Sequence, residues 1–212
     1  MTAQLFPQGI PAAKRIFDLL LILLGLPLVL PLAGITAVLV RLLDGKPLLF
    51  RQTRPGYKGR LFEVYKFRTM RIQQVDAAGN PIKDAERITP LGRFLRRTSL
   101  DELPELWNVI RGEMSLVGPR PLLPAYLDRY NAEQARRHDV LPGITGWAQV
   151  NGRNILSWED RFRLDVWYVD HWSIWLDIRI LVITIWKVLL REGVEAKQGV
   201  IMEEFKGSSA SR

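Results

Sequence analysis

The adjacent carboxylates Asp101 and Glu102 are the residues of this sequence best suited to chemistry at a phosphate. They lie in the run SLDEL at 99–103, where a helix is predicted over 101–111. A carboxylate can act as a covalent nucleophile in phosphoryl transfer, and it can hold Mg²⁺ together with substrate phosphates. The start of a helix also favours anions, because its free N–H groups and its dipole carry partial positive charge.

A purely structural interpretation of these carboxylates stays open. Ser99 and Glu102 have the spacing of a capping box, in which side chains satisfy the free backbone donors at a helix start. Thr98 and Asp101 repeat that spacing one residue earlier. On the pattern alone capping is the stronger interpretation, although capping and chemistry are compatible.

Basic side chains near the carboxylates are candidates for phosphate binding. Arg97 ends a predicted short basic helix over 91–97 and would add a charge-assisted hydrogen bond. The composition of residues 61–67 predicts a strand, whose alternation puts Lys66 and Arg68 on one face and apolar side chains on the other. A solvated edge strand is the alternative.

Arg120 lies between two prolines in the run GPRP at 118–121. The fixed backbone reduces the entropy that an arginine loses when it binds a phosphate with two hydrogen bonds. We therefore predict that Arg120 binds phosphate or nucleotide, with a rigid turn carrying a surface arginine as the alternative.

Two other motifs are interpreted as structural. The run PGITGW at 142–147 contains two glycines but lacks the spacing of a phosphate-binding loop, and we expect a turn there. Asp165 lies on a predicted amphipathic helix over 158–171, where a surface charge is expected.

Composition narrows the classes of function. The chain of 212 residues has a formal net charge of +8, which suits anionic partners such as nucleic acid, acidic lipid or phosphorylated substrates. It contains no cysteine, so disulfides, thiol nucleophiles and thiolate metal sites are excluded. Two histidines argue against a histidine-rich metal site.

An uncharged apolar run covers residues 19–40, and its 22 residues are enough for a membrane-spanning helix. A cleaved signal peptide would have a shorter apolar region, of about 7–15 residues. Pro27 and Pro31 lie within the run, and a kink or break is expected at proline. Both flanks are basic, and basic flanks stay on the cytoplasmic side. We therefore favour a re-entrant helix–break–helix over 14–45, with a straight span as the main alternative.

A second apolar stretch runs over 174–190. Its polar residues recur at helical spacing and form a narrow stripe, which consists of Ser173, Asp177, Thr184, Lys187 and Arg191. We expect an amphipathic helix near 173–191 that lies in the membrane interface. A core helix is the alternative.

Five motifs, taken together in this order, resemble one known family. They are KRIFD at 14–18, YKFRTM at 65–70, SLDELPELWNVIRGEMSLVGPRP at 99–121, PGITGWAQVNGRN at 142–154 and LDVWYV at 164–169. Over roughly residues 14–190 the chain closely resembles the monotopic phosphoglycosyl transferases, also called the bacterial sugar transferase family.

The resemblance implies a re-entrant hairpin and a two-step reaction at the cytoplasmic face of the bacterial inner membrane. Asp101 matches the family nucleophile, which attacks the β-phosphate of a UDP-sugar and releases UMP. Mg²⁺ shields the diphosphate near Asp101, and polyprenol phosphate then attacks the covalent intermediate. Glu102 matches the second carboxylate, for which a base or metal-site role is open. Arg120 matches an arginine that contacts phosphate or nucleotide, and Lys66 and Arg68 are weaker matches.

The expected fold is α+β and mostly helical. It has a leader at 1–13, the hairpin at 14–45, a catalytic domain at 46–205 and a flexible tail at 206–212. With no transmembrane bundle before Lys14, the chain resembles the minimal form of the family.

One departure concerns the membrane break. Family members often carry Ser-Pro there, and this chain has leucine before Pro31. A serine hydroxyl could satisfy a backbone group that proline frees, whereas leucine cannot.

Two other classes of function are weighed against the enzyme. A nucleic-acid-binding protein would use the positive charge on a groove-reading face, but the basic residues here flank a membrane run, so we expect no nucleic acid as partner. A non-catalytic membrane scaffold is the other class. The identity of the sugar and the oligomeric state are not indicated by the sequence.

Overall fold

The computed structural model describes residues 5–73, 75, 80, 82–152, 156–190 and 204–207. Over these residues the protein is mostly helical, with eight α-helices and two small two-stranded sheets. The expected α+β class is confirmed. Most of the tail predicted at 206–212 lies outside the described residues.

Helix α1, Ala12–Leu39, contains the apolar run and continues into a π-helical turn at Val40–Asp44. The backbone stays helical through Pro27 and Pro31, so the prediction of two helices separated by a break is wrong. Each proline removes one donor from the helical ladder, and in an apolar run the other backbone groups keep their helical bonds because they have no alternative partners. Within the described residues, Ala12–Asp44 is the one helix long and apolar enough to cross a membrane.

One face of α1 packs against the rest of the protein near each end of the helix. Ile22 contacts the core near Val64, and Val40 contacts the core near Phe67 and Leu95. The opposite face is exposed and consists of large apolar side chains, among them Leu20, Leu23, Leu24, Leu28, Leu30, Ile35, Val38 and Leu42. Both ends of α1 therefore rest on the same domain.

The first turns of α1 are attached by buried charges. Lys14 Nζ lies 2.6 Å from Asp177 Oδ2 and 3.3 Å from Asp18 Oδ1. Asp18 Oδ2 accepts a hydrogen bond of 2.8 Å from the Ser115 hydroxyl. Arg15 is fully buried and donates to the backbone carbonyls of residues 109 and 114.

A β-hairpin carries the basic strand. Strand β1, Leu49–Pro55, pairs antiparallel with β2, Leu61–Phe67, which confirms the strand predicted at 61–67. Gln52 lies opposite Val64. Because side chains alternate along a strand, alternate residues from Gln52 and Val64 outward share one face of the hairpin.

The segment after the hairpin forms short helices, α2 at Asp84–Arg87 and α3 at Pro90–Thr98. The basic helix predicted at 91–97 is confirmed. The helix predicted at 101–111 is shorter, because a 3₁₀ turn at Leu100–Glu102 precedes α4, Glu105–Ile110. Pro104 lies between the two, and proline favours the first position of a helix.

Strand β3, Ser115–Val117, pairs in parallel with β4, Gly143–Thr145. Gly118 lies against the backbone of Leu141, Pro142 and Gly143, where a Cβ atom would not fit. The middle of the turn predicted at 142–147 is thus strand β4, which makes close backbone contact with the start of the GPRP run.

The remaining helices complete the core. Helix α5 is Ala132–Ala135, between 3₁₀ segments at Pro124–Arg129 and Arg136–His138, and α6 is Trp147–Asn151. Helix α7, Trp158–His171, confirms the helix predicted at 158–171.

Helix α8, Ile174–Leu189, confirms a helix in the second apolar stretch, but its orientation differs from the usual surface helix. Asp177 of the polar stripe is fully buried, and Thr184 bonds to Thr145 at 2.7 Å. Asp177 and Thr184 of the stripe therefore face the protein, whereas Ser173 is exposed. Large apolar side chains such as Trp175 and Trp186 face outward. Arg191 of the stripe lies outside the described residues.

The close backbone contact at Gly143 predicts a stability effect. In Gly143→Ala the new Cβ would overlap backbone atoms of Gly118 and Thr145, which cannot rotate away. We expect a loss of about 1–3 kcal/mol of unfolding free energy. Gly34→Ala is the matched control, because a Cβ at Gly34 meets nothing within 4 Å. The midpoint of thermal unfolding in detergent should fall by several degrees for Gly143→Ala only, and equal midpoints would contradict the packing argument.

Candidate active site

The turn that presents the two adjacent carboxylates begins at Ser99, whose φ of 56° is left-handed. This conformation ends α3 and starts the 3₁₀ turn that carries Asp101 and Glu102. The Ser99 side chain makes no cap hydrogen bond, and the Thr98 hydroxyl donates back to the carbonyl of Phe94 at 2.9 Å. The capping box is therefore not formed, and capping does not explain why these carboxylates stand at this position.

Glu102 lies between two cations. Its Oε1 is 2.7 Å from Lys66 Nζ and 2.8 Å from Arg120 Nη2. Burial alone would raise the pKa of Glu102, but Arg120 and Lys66 outweigh it and lower the pKa to about 2. Glu102 is consequently ionised at neutral pH, and it holds both basic side chains beside Asp101.

Asp101 is the carboxylate of the cluster without a protein partner. Its side chain is nearly buried, with 8% of the residue exposed, and it makes no hydrogen bond or ion pair with any residue that the structure describes. Burial, and then the charge of Glu102, raise its pKa, while Lys66, Arg96 and Arg120 oppose the rise. A carboxylate in this position is free to contact a ligand.

Glu105, at the start of α4, is a member of the cluster that the sequence interpretation missed. Its Oε1 lies 2.9 Å from Lys66 Nζ, so Lys66 bridges Glu102 and Glu105. Burial, and then the nearby charge of Glu102, raise the pKa of Glu105 to about 7. The available signal was its spacing, since an acid three residues after Glu102 shares a helical face with it.

Arg137 holds the loop that presents Arg120 through a hydrogen bond to the loop backbone. The Arg137 Nη2 donates to the backbone carbonyl of Arg120 at 2.8 Å and to Asp165 Oδ2 at 2.8 Å. Asp165 is 2% exposed, so the prediction of a surface charge is wrong. Its real role is to pair with a buried guanidinium from a distant part of the chain, which local periodicity does not reveal.

A cavity of about 40 Å³ lies between the hairpin and the carboxylate cluster. The hairpin face of alternate residues forms one wall, and α4 and the GPRP run form the others. The lining residues are Phe50, Gln52, Arg54, Val64, Lys66, Glu105, Arg120 and Pro121.

Arg68 and Arg97 lie apart from the ion-paired cluster. Strand β2 ends at Phe67, and the Arg68 guanidinium donates to the backbone carbonyl of Asp44 at the end of the π-helical turn. Arg97 is exposed and forms no ion pair with a described residue. Arg96 is the arginine of α3 whose charge acts on Asp101, and its Nε donates to the Thr69 hydroxyl at 2.9 Å.

The donor set can be tested against Mg²⁺. Among the described residues there is no group of three or more His, Asp or Glu side chains that could hold a metal ion. Glu102 and Glu105 are already paired with cations, whereas Asp101 is open. This fits the mode in which Mg²⁺ takes one carboxylate and completes its shell with waters and substrate phosphates.

Comparisons with known proteins assign the chain to a family. The model of the bacterial sugar transferase family matches residues 10–191. The uncharacterized sugar transferase EpsL of Bacillus subtilis is 52% identical over 195 residues, which is 92% of this chain and 96% of the relative.

Two larger relatives have names that state an activity. The UDP-glucose:undecaprenyl-phosphate glucose-1-phosphate transferase of Escherichia coli is 42% identical over 183 residues, 82% of this chain and 39% of the relative. The undecaprenyl-phosphate galactose phosphotransferase of Salmonella typhimurium is 43% identical over 166 residues, 71% of this chain and 35% of the relative. The chain spans less than half the length of both. Since the family model covers most of its residues and EpsL aligns over nearly all of both chains, the protein belongs to the bacterial sugar transferase family.

Proposed function

We propose that the protein transfers a phosphosugar from a UDP-sugar to polyprenol phosphate and releases UMP. The observation that carries this proposal is the open carboxylate of Asp101 beside the Lys66–Glu102–Arg120 ion pairs. The names of the Escherichia coli and Salmonella typhimurium relatives support it, since they state transfer of glucose 1-phosphate or galactose phosphate with undecaprenyl phosphate.

The reaction proceeds in two displacements at one phosphorus atom. An Asp101 oxygen attacks the β-phosphorus of the UDP-sugar, and the bond to the bridging oxygen breaks, so that its electron pair leaves with UMP. A phosphate oxygen of polyprenol phosphate then attacks the phosphosugar. The bond to Asp101 breaks, the carboxylate is regenerated, and the product is a polyprenyl diphosphate sugar.

The basic residues offset the repulsion between an anionic nucleophile and an anionic diphosphate. Lys66 and Arg120 stand beside Asp101 and donate to phosphate oxygens, which is electrostatic stabilisation by groups already in position. Glu102 is a positioning residue that holds both. Mg²⁺, bound by Asp101 and the diphosphate, would neutralise further phosphate charge. Arg68 and Arg97 lie outside the ion-paired cluster, and we assign them no contact with the reacting phosphate.

The membrane arrangement follows from α1. Its 28 residues correspond to about 42 Å at ~1.5 Å per residue. This is more than the ~30 Å of a hydrocarbon core, so the length alone would also permit a straight span, and the contacts of the two helix ends decide. Both its ends pack on one domain, which cannot lie on both sides of a bilayer. We therefore propose a re-entrant, monotopic attachment to the cytoplasmic face of the inner membrane. The exposed apolar faces of α1 and α8 enter the same leaflet.

Turnover tests the reaction. Purified protein with Mg²⁺, polyprenol phosphate and a panel of UDP-sugars should release UMP from at least one donor, measured by chromatography. Asp101→Asn should reduce the rate by at least a thousandfold, because the amide is a poor nucleophile. Asp128→Asn, at an exposed position, is the matched control and should keep full activity. A fully active Asp101→Asn variant would favour a non-catalytic scaffold role for this carboxylate.

The covalent intermediate predicts a defined adduct. With a UDP-sugar and no polyprenol phosphate, the protein should gain the mass of one phosphosugar. Peptide mass spectrometry should place the adduct on Asp101, and polyprenol phosphate should remove it. An adduct on Glu102 or Glu105 would overturn the assignment of the nucleophile.

Labelling tests the re-entrant arrangement, and the absence of native cysteine makes it clean. Single variants Ile10→Cys and Lys46→Cys flank α1 on either side. In sealed inverted vesicles, a membrane-impermeant maleimide should label both variants to the same extent. Protection of one variant alone would mean a straight span.

A further inference from the structure

The cavity beside the carboxylates contains a third cation, Arg54. Lys66 and Arg120, the other two, each pair with Glu102. In the described part of the chain Arg54 has no carboxylate within ion-pair distance. Its Nη2 donates to Gln52 Oε1 at 2.6 Å, a neutral partner on the same hairpin face.

Arg54 is held in an electrostatically unfavourable place. Burial, and then the charge of Arg120, lower its pKa, and only Glu105 and Tyr126 oppose the change. Two guanidinium groups thus share one partly buried cavity. Such an arrangement leaves positive charge to be neutralised by a ligand, because desolvated cations need a counter-charge.

The dimensions of the cavity suit a single phosphate group. About 40 Å³ holds roughly three water-sized groups, which matches the oxygens of one phosphate group. Guanidinium groups match phosphate well, since their planar donors reach two oxygens at once.

The order of the charges indicates which phosphate. Arg120 lines the cavity and also contacts Glu102, the neighbour of Asp101, whereas Arg54 lines the cavity and bonds to Gln52. Arg120 therefore links the cavity to the carboxylate pair, and Arg54 belongs to the cavity alone. If the β-phosphate is attacked at Asp101, the next phosphate of the donor is the α-phosphate.

We infer that Arg54, held by Gln52 and next to Arg120, binds the α-phosphate of the nucleotide, the group that leaves as UMP. This inference rests on the proposed reaction for the direction of the donor. It assigns to the hairpin face of β1 a role in holding the leaving group. Charge developing on the departing UMP would be stabilised there.

The test compares Arg54→Gln with Arg51→Gln in the full chain in detergent. Arg51 is exposed on the same strand and stacks over Tyr65 at 5.4 Å, so it is a matched control. By calorimetry, UMP should bind Arg54→Gln at least about tenfold more weakly than wild type, the loss expected for a charge-assisted pair. Arg51→Gln should bind UMP like wild type. Arg54→Lys, which keeps the charge but not the planar fork, should fall between.

Kinetics separate the two sources of phosphate. The KM for the UDP-sugar should rise about tenfold in Arg54→Gln, while the KM for polyprenol phosphate stays within about twofold. A rise confined to the KM for polyprenol phosphate would assign Arg54 to the acceptor and overturn the inference. UMP affinity that is unchanged in Arg54→Gln, or no UMP binding by the wild type, would also overturn it. If wild type binds UMP through Arg54 yet releases none from any UDP-sugar, the proposed reaction fails and the phosphate site stands.

Discussion

The buried pair of Lys14 and Asp177 is the interaction on which the arrangement of this protein depends. An ammonium and a carboxylate that are both removed from water must remain together, because either one alone would be an uncompensated buried charge. Asp177 also accepts hydrogen bonds from Tyr168 at 2.7 Å and Trp172 at 3.1 Å. The first turn of the apolar helix is thereby fixed against α7 and α8, which sets the direction of the rest of α1.

From this anchor the connection to the active site is short. Asp18, one turn after Lys14, bonds to Ser115 in β3, and β3 leads through Gly118 into the run that presents Arg120. Arg137 holds the same run from the other side through its backbone carbonyl. Arg120 is thus set between a strand that is bonded to α1 and the buried Arg137–Asp165 ion pair. Its position relative to Glu102 is established before a substrate arrives, which is what electrostatic catalysis requires.

Local patterns predicted the elements well and the contacts poorly. The strand at 61–67 and the helix at 158–171 have the predicted bounds, since alternation and capping signals act within a few residues. The pairing of Arg137 with Asp165 joins residues 28 apart in sequence, and that of Lys14 with Asp177 joins residues 163 apart. Periodicity marks Asp165 as polar but cannot say that a guanidinium covers it. The Ser99–Glu102 spacing likewise suggested a cap, because the lysine and arginine that compete for Glu102 come from distant segments.

Helices α1 and α8 expose large apolar side chains and bury charged ones, and this arrangement is linked to the Lys14–Asp177 pair. In a water-soluble domain the apolar faces of two helices would turn inward, and burying Lys14 and Asp177 instead would be unfavourable. With a bilayer as the outer solvent, apolar side chains face the lipid, and charged groups are stable only where protein supplies their partners. Asp177 and Thr184 of α8 therefore pack against the domain, and the ion pair that attaches α1 lies on that inward side. The proposed reaction joins a water-soluble nucleotide to a lipid phosphate and needs its nucleophile at the boundary between the two solvents. Under the proposed attachment, in which the apolar faces of α1 and α8 enter the lipid, the domain of Asp101 lies at that boundary.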